Sequence, residues 1–184
     1  IYRFFHLINL RLFPYLDIMI ISKRPKFKPV LTATDYRIVW LGRALLVAMW
    51  GLTIYYYILS PDVVPMHFNS EGEADGYGDK ITFFIMPVVA SFIYALLAVL
   101  NNYPEMLNYP VAITEANAAK QYTMATRFIR ILNVLILCLF ISVGYIVYQS
   151  SQGTIPGDGT WVMLLSCAFI LPIAVYMIMA KRAG

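Results

Sequence analysis

Charge is what this sequence has least of. Asp, Glu, Lys and Arg make up 13% of its 184 residues, against about a quarter in an ordinary soluble domain. Hydrophobic residues reach 60%, and the mean hydropathy is +0.68. A soluble fold of similar length still leaves roughly 30% of its chain surface in water. That much apolar surface could not be hidden, so a soluble globular enzyme is excluded, and so is a disordered tail. Histidine is nearly absent: His6 and His67 are the two in the chain. The topology below sets them on opposite sides of a membrane, which argues against a zinc site. Cysteine is equally sparse. Cys138 and Cys167 both lie in apolar stretches, at depths differing by roughly 6 Å, which fits inert thiols and implies no disulfide framework. No acid lies in the middle of an apolar run, so a proton or cation relay has no support. No Ser/His/Asp or Cys/His arrangement, glycine-rich phosphate loop or signal-peptide cleavage site is legible.

What the sequence does have is length of apolar run. Four stretches approach the 20 or so residues that cross a hydrocarbon core: about 38–59 with one charge, Arg43; 82–100; 128–148 with Arg130 near its start; and 161–179. The expected fold is an all-α integral membrane protein, a bundle of four transmembrane helices. Pro87 and Pro172 fall inside spans, where a bundle tolerates kinks. The formal net charge of +4 does not point to nucleic acid, because the bases flank apolar runs. Lys23, Arg24, Lys26, Lys28 and Arg37 precede the first span, Lys120 and Arg127 lie between the second and third, and Lys181 and Arg182 end the chain. The loop after the first span instead holds Asp62, Glu71, Glu73, Asp75 and Asp79 against Lys80. By the positive-inside rule both termini are cytoplasmic and the acidic loop is external, as in a multi-pass protein of a bacterial plasma membrane. Trp40, Tyr55, Tyr56, Tyr57, Tyr148, Trp161 and Tyr176 near the span ends read as an aromatic belt.

The chain divides at 37 and 38. Residues 1–37 form a basic amphipathic segment, with 1–22 expected as a helix lying in the cytoplasmic interface. Arg3, His6, Arg11 and Asp17 would make a fifth span costly, at about 2.5–3.5 kcal/mol for each charge at its centre. Residues 38–184 form the membrane domain.

The external loop, 60–80, carries the most information. Pro61 stops the first helix and Pro65 stiffens an extended stretch. Alternation over 64–69 sets Met66 and Phe68 on one side, toward lipid, and turns His67 and Asn69 inward. Gly72, Gly76 and Gly78 supply turns or close backbone approach, so a compact ordered cap is expected. His67 is expected to organise it through Asn69 or Asp75, with Asp75 and Lys80 pairing across the turn. Glu71, Glu73, Asp75 and Asp79 offer oxygen ligands at calcium-loop spacing, but Thr82 stands where the bidentate acid belongs. A solvated acidic turn is the alternative to a divalent cation, and no other cofactor is implied.

The string Pro65, His67, Phe68, Asn69, Gly72, Asp75, Gly76, Gly78 and Lys80 resembles the signature of a bacterial membrane domain of unknown function, which forms the N-terminal part of SdpI-type immunity proteins. The run 108–117, with Gln121, Tyr122 and Arg127, is similar to that domain's second connection. The resemblance spans about 40–148 and implies a non-enzymatic binding, immunity or sensing module that recognises a ligand or partner through the outer loop. SdpI-type proteins continue into a further membrane domain, and the basic N-terminal extension lies outside their pattern.

Two further readings are an accessory subunit of a larger bacterial membrane complex and a metal-dependent membrane enzyme. Lys120, Thr123, Arg127 and Arg130 fall on one helical face, suited to anionic lipid headgroups or a partner's acids as well as to plain anchoring. The pairs 102–104 and 108–110, each Asn-Tyr-Pro, end the second span, and a new helix is expected near Thr114.

Overall fold

The structure, a computed structural model, describes residues 24–69, 72–154, 164 and 166–184. The expected interfacial helix over 1–22 lies outside them. Helix α1 (Ala33–Leu59) leads into an antiparallel hairpin of β1 (Val63–Phe68) and β2 (Ala74–Asp79). A 3-10 turn (Lys80–Phe84) opens into α2 (Ile85–Leu100), and a second one (Pro104–Met106) lies in the connection to α3 (Ala118–Ser151). Helix α4 (Ile170–Arg182) closes the chain. Among the described residues three helical stretches, Ala33–Leu59, Lys80–Leu100 and Ala118–Ser151, are long and apolar enough to cross a membrane. The fourth expected span, 161–179, falls partly outside the described residues, and its described part is the 13-residue α4.

The helix starts differ from expectation for local reasons. Helix α1 begins at Ala33 rather than 38, because Thr32 and Asp35 form a capping box that satisfies the first free amides. Helix α3 begins at Ala118, ten residues before the expected span. Thr114 does open this turn: its amide donates to Asn117 Oδ1 (2.9 Å), and its carbonyl accepts from Ala118 N (2.9 Å). Pro87 and Pro172 are each the third residue of a helix, α2 and α4. They sit in the first α-helical turns, where proline is tolerated best, Pro87 directly after the 3-10 turn Lys80–Phe84.

The bundle centres on α1 and α3. Met49 of α1, Ala90 of α2 and Leu137 of α3 are buried together, flanked by Leu45, Met86, Tyr94 and Phe140. Trp50 Nε1 donates to Ser91 Oγ at 3.1 Å, and Ser91 in turn donates to Pro87 O at 2.6 Å. Gly42 lets Tyr94 lie directly on α1, since a Cβ there would stand 3.2 Å from the ring. Nearer the hairpin Tyr56 stacks on Tyr148, with centroids 4.6 Å apart, and meets Phe83 and Val64. Ser60 Oγ and Ser151 Oγ share a hydrogen bond of 3.1 Å, and Gln152 Nε2 donates to Leu59 O at 3.2 Å, so α1 and α3 end level. Helix α4 leans on α3 through the Phe128–Tyr176 stack (4.6 Å) and through Gln121 Nε2, which donates to Ala180 O at 2.8 Å.

Large apolar side chains cover the outside: Val47, Ile54 and Ile58 on α1 and Val88, Phe92 and Val99 on α2 are exposed. Water is the wrong solvent for such a continuous surface. Tyr56→Ala is expected to remove the stack that joins α1, α3 and the hairpin, at a cost of about 3 kcal/mol. Thermal unfolding in detergent checks this, with Tyr56→Phe, which keeps the ring, holding a midpoint close to the parent's.

Candidate functional site

The hairpin after α1 is the ordered cap the loop composition suggested, held on the bundle by Val64, fully buried among Tyr56 and Phe83. Strand pairing runs from Val63 opposite Asp79 to Phe68 opposite Ala74, and it is irregular on both sides of His67. Simple alternation therefore fails. Residue 66 has no partner, and Met66 and His67 are both exposed. His67, expected to turn inward, keeps 73% of its side chain exposed. The cause is the irregular register, which skips residue 66 on one strand and 75 on the other and re-aims the side chains beside them.

The tip is closed by Asn69. Its Oδ1 accepts from Glu73 N (2.8 Å), its amide donates to Glu73 O (2.9 Å), and its carbonyl accepts from Gly72 N (3.0 Å). Gly72 has φ 83°, a conformation that needs glycine. Gly76 faces His67 across the ladder, where an added Cβ would lie 2.9 Å from His67 Cβ, and Gly78 makes room for the Met66 thioether. His67 Nδ1 meets Asp75 Oδ1 at 2.5 Å, one of the two partners expected. Lys80 does not pair with Asp75. Its Nζ binds Asp62 Oδ1 at 2.9 Å and lies over the Tyr57 ring, because the ladder brings the two ends of the hairpin together, with Lys80 N donating to Asp62 O. The Lys80 ammonium holds the Asp62 carboxyl below the usual range.

Of the four candidate metal ligands, Glu71 lies outside the described residues. Glu73 accepts from Asn69, Asp75 faces His67, and Asp79 caps the 3-10 turn by accepting from Ile81 N at 2.7 Å. Among the described residues no three His, Cys, Asp or Glu side chains gather as a ligand set.

At the other end of the bundle the basic face behaves differently from an open row of charges. Lys120 is exposed, whereas Arg127 grips Asp35 with both arms of its guanidinium, Nε to Oδ1 at 2.8 Å and Nη2 to Oδ2 at 3.0 Å. Arg130 Nη1 approaches the same Oδ1 at 3.5 Å. Asp35, only 2% exposed, also accepts from Thr32 N and Thr32 Oγ1 at 2.9 and 2.6 Å. Sequence reasoning missed this acid. The signal was Thr32-x-x-Asp35 ahead of an apolar run. Arg43 lies over Trp40 at 4.8 Å. Farther along, Arg24 donates to Glu105 O and Leu107 O and covers Tyr109, while Tyr122 OH donates to Pro25 O at 3.0 Å. Burial pushes the Tyr109 hydroxyl well above its usual range. The Asn-Tyr-Pro connection is thus a clasp for 24–25. Cys138 and Cys167 are both free thiols.

Residues 44–91 match a family described as a Domain of unknown function (DUF1648). The matched stretch includes most of α1, the whole hairpin and the start of α2, so the expectation of a domain of unknown function over this region holds at that level. The chain is also similar to an uncharacterized protein of Archaeoglobus fulgidus, 23% identical over 160 residues, covering 80% of this chain and 86% of the relative. No solved structure matches.

Asp35→Ala is expected to leave two arginines facing each other without their acid and to cost about 3 kcal/mol. In a double-mutant cycle with Arg127→Ala the combined loss should fall well short of the sum of the single losses. The Asp62–Lys80 tie has the opposite exposure and a pH signature. Because the folded carboxyl titrates below its ordinary value, the tie is complete above pH 3.8 and is lost as pH falls through the depressed value. Hydrogen exchange at the Lys80 amide should therefore show the same protection, after correction for intrinsic rates, at pH 5 and pH 8. Asp62→Asn should weaken it at both.

Proposed function

We propose that this chain is a non-enzymatic, membrane-embedded recognition module of a bacterial plasma membrane, with its hairpin outside and its basic end and both termini in the cytosol. In this reading the hairpin receives a ligand or partner at the outer face, as the resemblance to the N-terminal part of SdpI-type immunity proteins implies. The observation that carries it is the display of His67 and Asp75. The two are hydrogen-bonded to each other, 73% and 46% exposed, on a hairpin wedged into the aromatic cluster by Val64. A support that already holds a polar pair toward solvent lowers the ordering entropy lost when a partner docks. Asn69 and Gly72 hold the tip and Lys80 the base, so the five expected residues serve one body: His67 and Asp75 as the contact, the others as its frame. The distribution of charge supports the orientation, with acids on the hairpin and Arg127, Arg130, Lys181 and Arg182 at the other end.

A second reading, an accessory subunit whose spans pack on partner helices, draws on the exposed apolar face of α2, where Val88, Phe92 and Val99 have no cover among the described residues. Crosslinking from Phe92 in native membranes separates the two: protein adducts support the subunit, and lipid adducts alone support the module.

His67→Ala and Asp75→Ala should each abolish capture of the native partner by the purified chain, while membrane extraction and thermal midpoint stay near the parent's. Asn69→Ala should lower both capture and hairpin protection. Undiminished capture by His67→Ala and Asp75→Ala would reduce the hairpin to a structural cap.

A further inference from the structure

At the end of the bundle away from the hairpin, α1, α2 and α3 diverge around a cavity of about 280 Å³. Its walls include Gly42 and Arg43 from α1, Tyr94 and Asn101 from the end of α2, and Arg130 and Asn133 from α3. Three properties set it apart from the apolar gaps elsewhere in the bundle. The first is unspent hydrogen-bonding capacity. Asn133 is 6% exposed, its Nδ2 donates to Tyr94 O at 3.4 Å, and its Oδ1 has no partner among the described residues. Asn101 Oδ1 is likewise buried without one. Buried acceptors are almost always satisfied, so two orphans on one cavity call for donors from something that enters it. The second is charge. Arg130, 11% exposed, reaches Asp35 through a single long contact of 3.5 Å, because Arg127 already holds both carboxylate oxygens. Its Nη1 also donates to Thr126 Oγ1 at 3.4 Å, which leaves most of its five N–H donors without an acceptor among the described residues. Arg43 adds a second cation, and the cavity walls hold no acid. The third is position. Leu31, Ile38 and Val39 line its other side, so a molecule in it touches both a polar chamber and an apolar flank.

We propose that this cavity binds the headgroup of an anionic glycerophospholipid. The phosphate lies between Arg130 and Arg43, and headgroup hydroxyls donate to the side-chain carbonyls of Asn101 and Asn133. A chloride would answer the arginines and leave both carbonyls unpaired. A polyol phosphate answers both. The same chemistry could be offered by a soluble phosphate ester; the apolar flank at Leu31, Ile38 and Val39 selects the lipid. This site is independent of the hairpin and survives if recognition at His67 and Asp75 fails.

The test uses the full chain, stripped of lipid in detergent and titrated with mixed micelles containing phosphatidylglycerol or phosphatidylcholine, with glycerol 3-phosphate in a parallel series. Bound lipid is read by native mass spectrometry and by the thermal midpoint. Phosphatidylglycerol should bind saturably and raise the midpoint, and phosphatidylcholine should do neither. Arg130→Gln should weaken phosphatidylglycerol binding about tenfold or more. Asn101→Leu and Asn133→Leu should weaken it severalfold. Asn101→Leu should do so while holding or raising the lipid-free midpoint, because an orphaned acceptor is gone, and this keeps the test valid if Arg130→Gln folds poorly. Lys120→Gln, on the exposed face of the same helix, should leave binding unchanged. Full competition by glycerol 3-phosphate, dependent on Arg130, would support the phosphate-ester chemistry and assign it to a solute. Equal binding of the two lipids, equal losses in Lys120→Gln and Arg130→Gln, or undiminished binding by both Asn101→Leu and Arg130→Gln would overturn the proposal.

Discussion

The long helices α1 and α3 must stay in register along their whole length, and everything else in the molecule is built on that constraint. One end is fixed by Arg127 and Asp35, the other by Ser60, Ser151 and Gln152. Between them the contacts are mostly apolar and permissive about sliding. In a hydrocarbon solvent burial gives little preference for one apolar neighbour over another, so polar contacts at the ends fix the register. Helix α2 and the hairpin then have no freedom of their own. The hairpin is short, Val64 has one place to go, and Ser91 has one tryptophan to meet.

The two ends of the bundle use polar chemistry in opposite ways. At the hairpin His67, Asp75 and Asp62 are open to solvent and Lys80 is partly covered, and their ion pairs are of the exposed kind that contributes little to stability. They shape a surface more than they hold a fold. At the other end Asp35 is enclosed and accepts from three groups at once, Thr32 N, Thr32 Oγ1 and Arg127. There the carboxylate holds the fold, and Arg130 stands next to it with donors to spare.

Much of this was legible from the chain, and the failures share a cause. Apolar length announced α1, α2 and α3, because hydrocarbon thickness is a constraint that acts on each run separately. Their starts were less legible: the first turns of α3 mix Lys120, Gln121 and Thr123 with alanine and do not look like a span, though they continue the same helix. The cap was foreseeable from Pro65 and the glycines, and the contact between His67 and Asp75 from their chemistry. The partner of Lys80 was not, since only the strand register decides between Asp62 and Asp75. Asp35 and Arg127 are 92 residues apart, and no local pattern relates them. The clasp on Arg24 escaped for the same reason.

Helix α3 has 34 residues and so measures about 51 Å, well beyond the roughly 30 Å of a bilayer's hydrocarbon. Such a rod has about 20 Å of overhang to dispose of, and its polar first turns, which carry Lys120 and Arg127, take most of it. The helix therefore does not have to match one membrane. In a thick sheet it stands upright and immerses more of its length. In a thin one it leans or lifts, at a cost of fractions of a kcal/mol per ångström. Trp40 and Tyr55 are exposed toward the two ends of α1, the rod to which α3 is pinned. Lateral thickness of the surrounding bilayer thereby becomes a variable that the angle of the whole bundle reports.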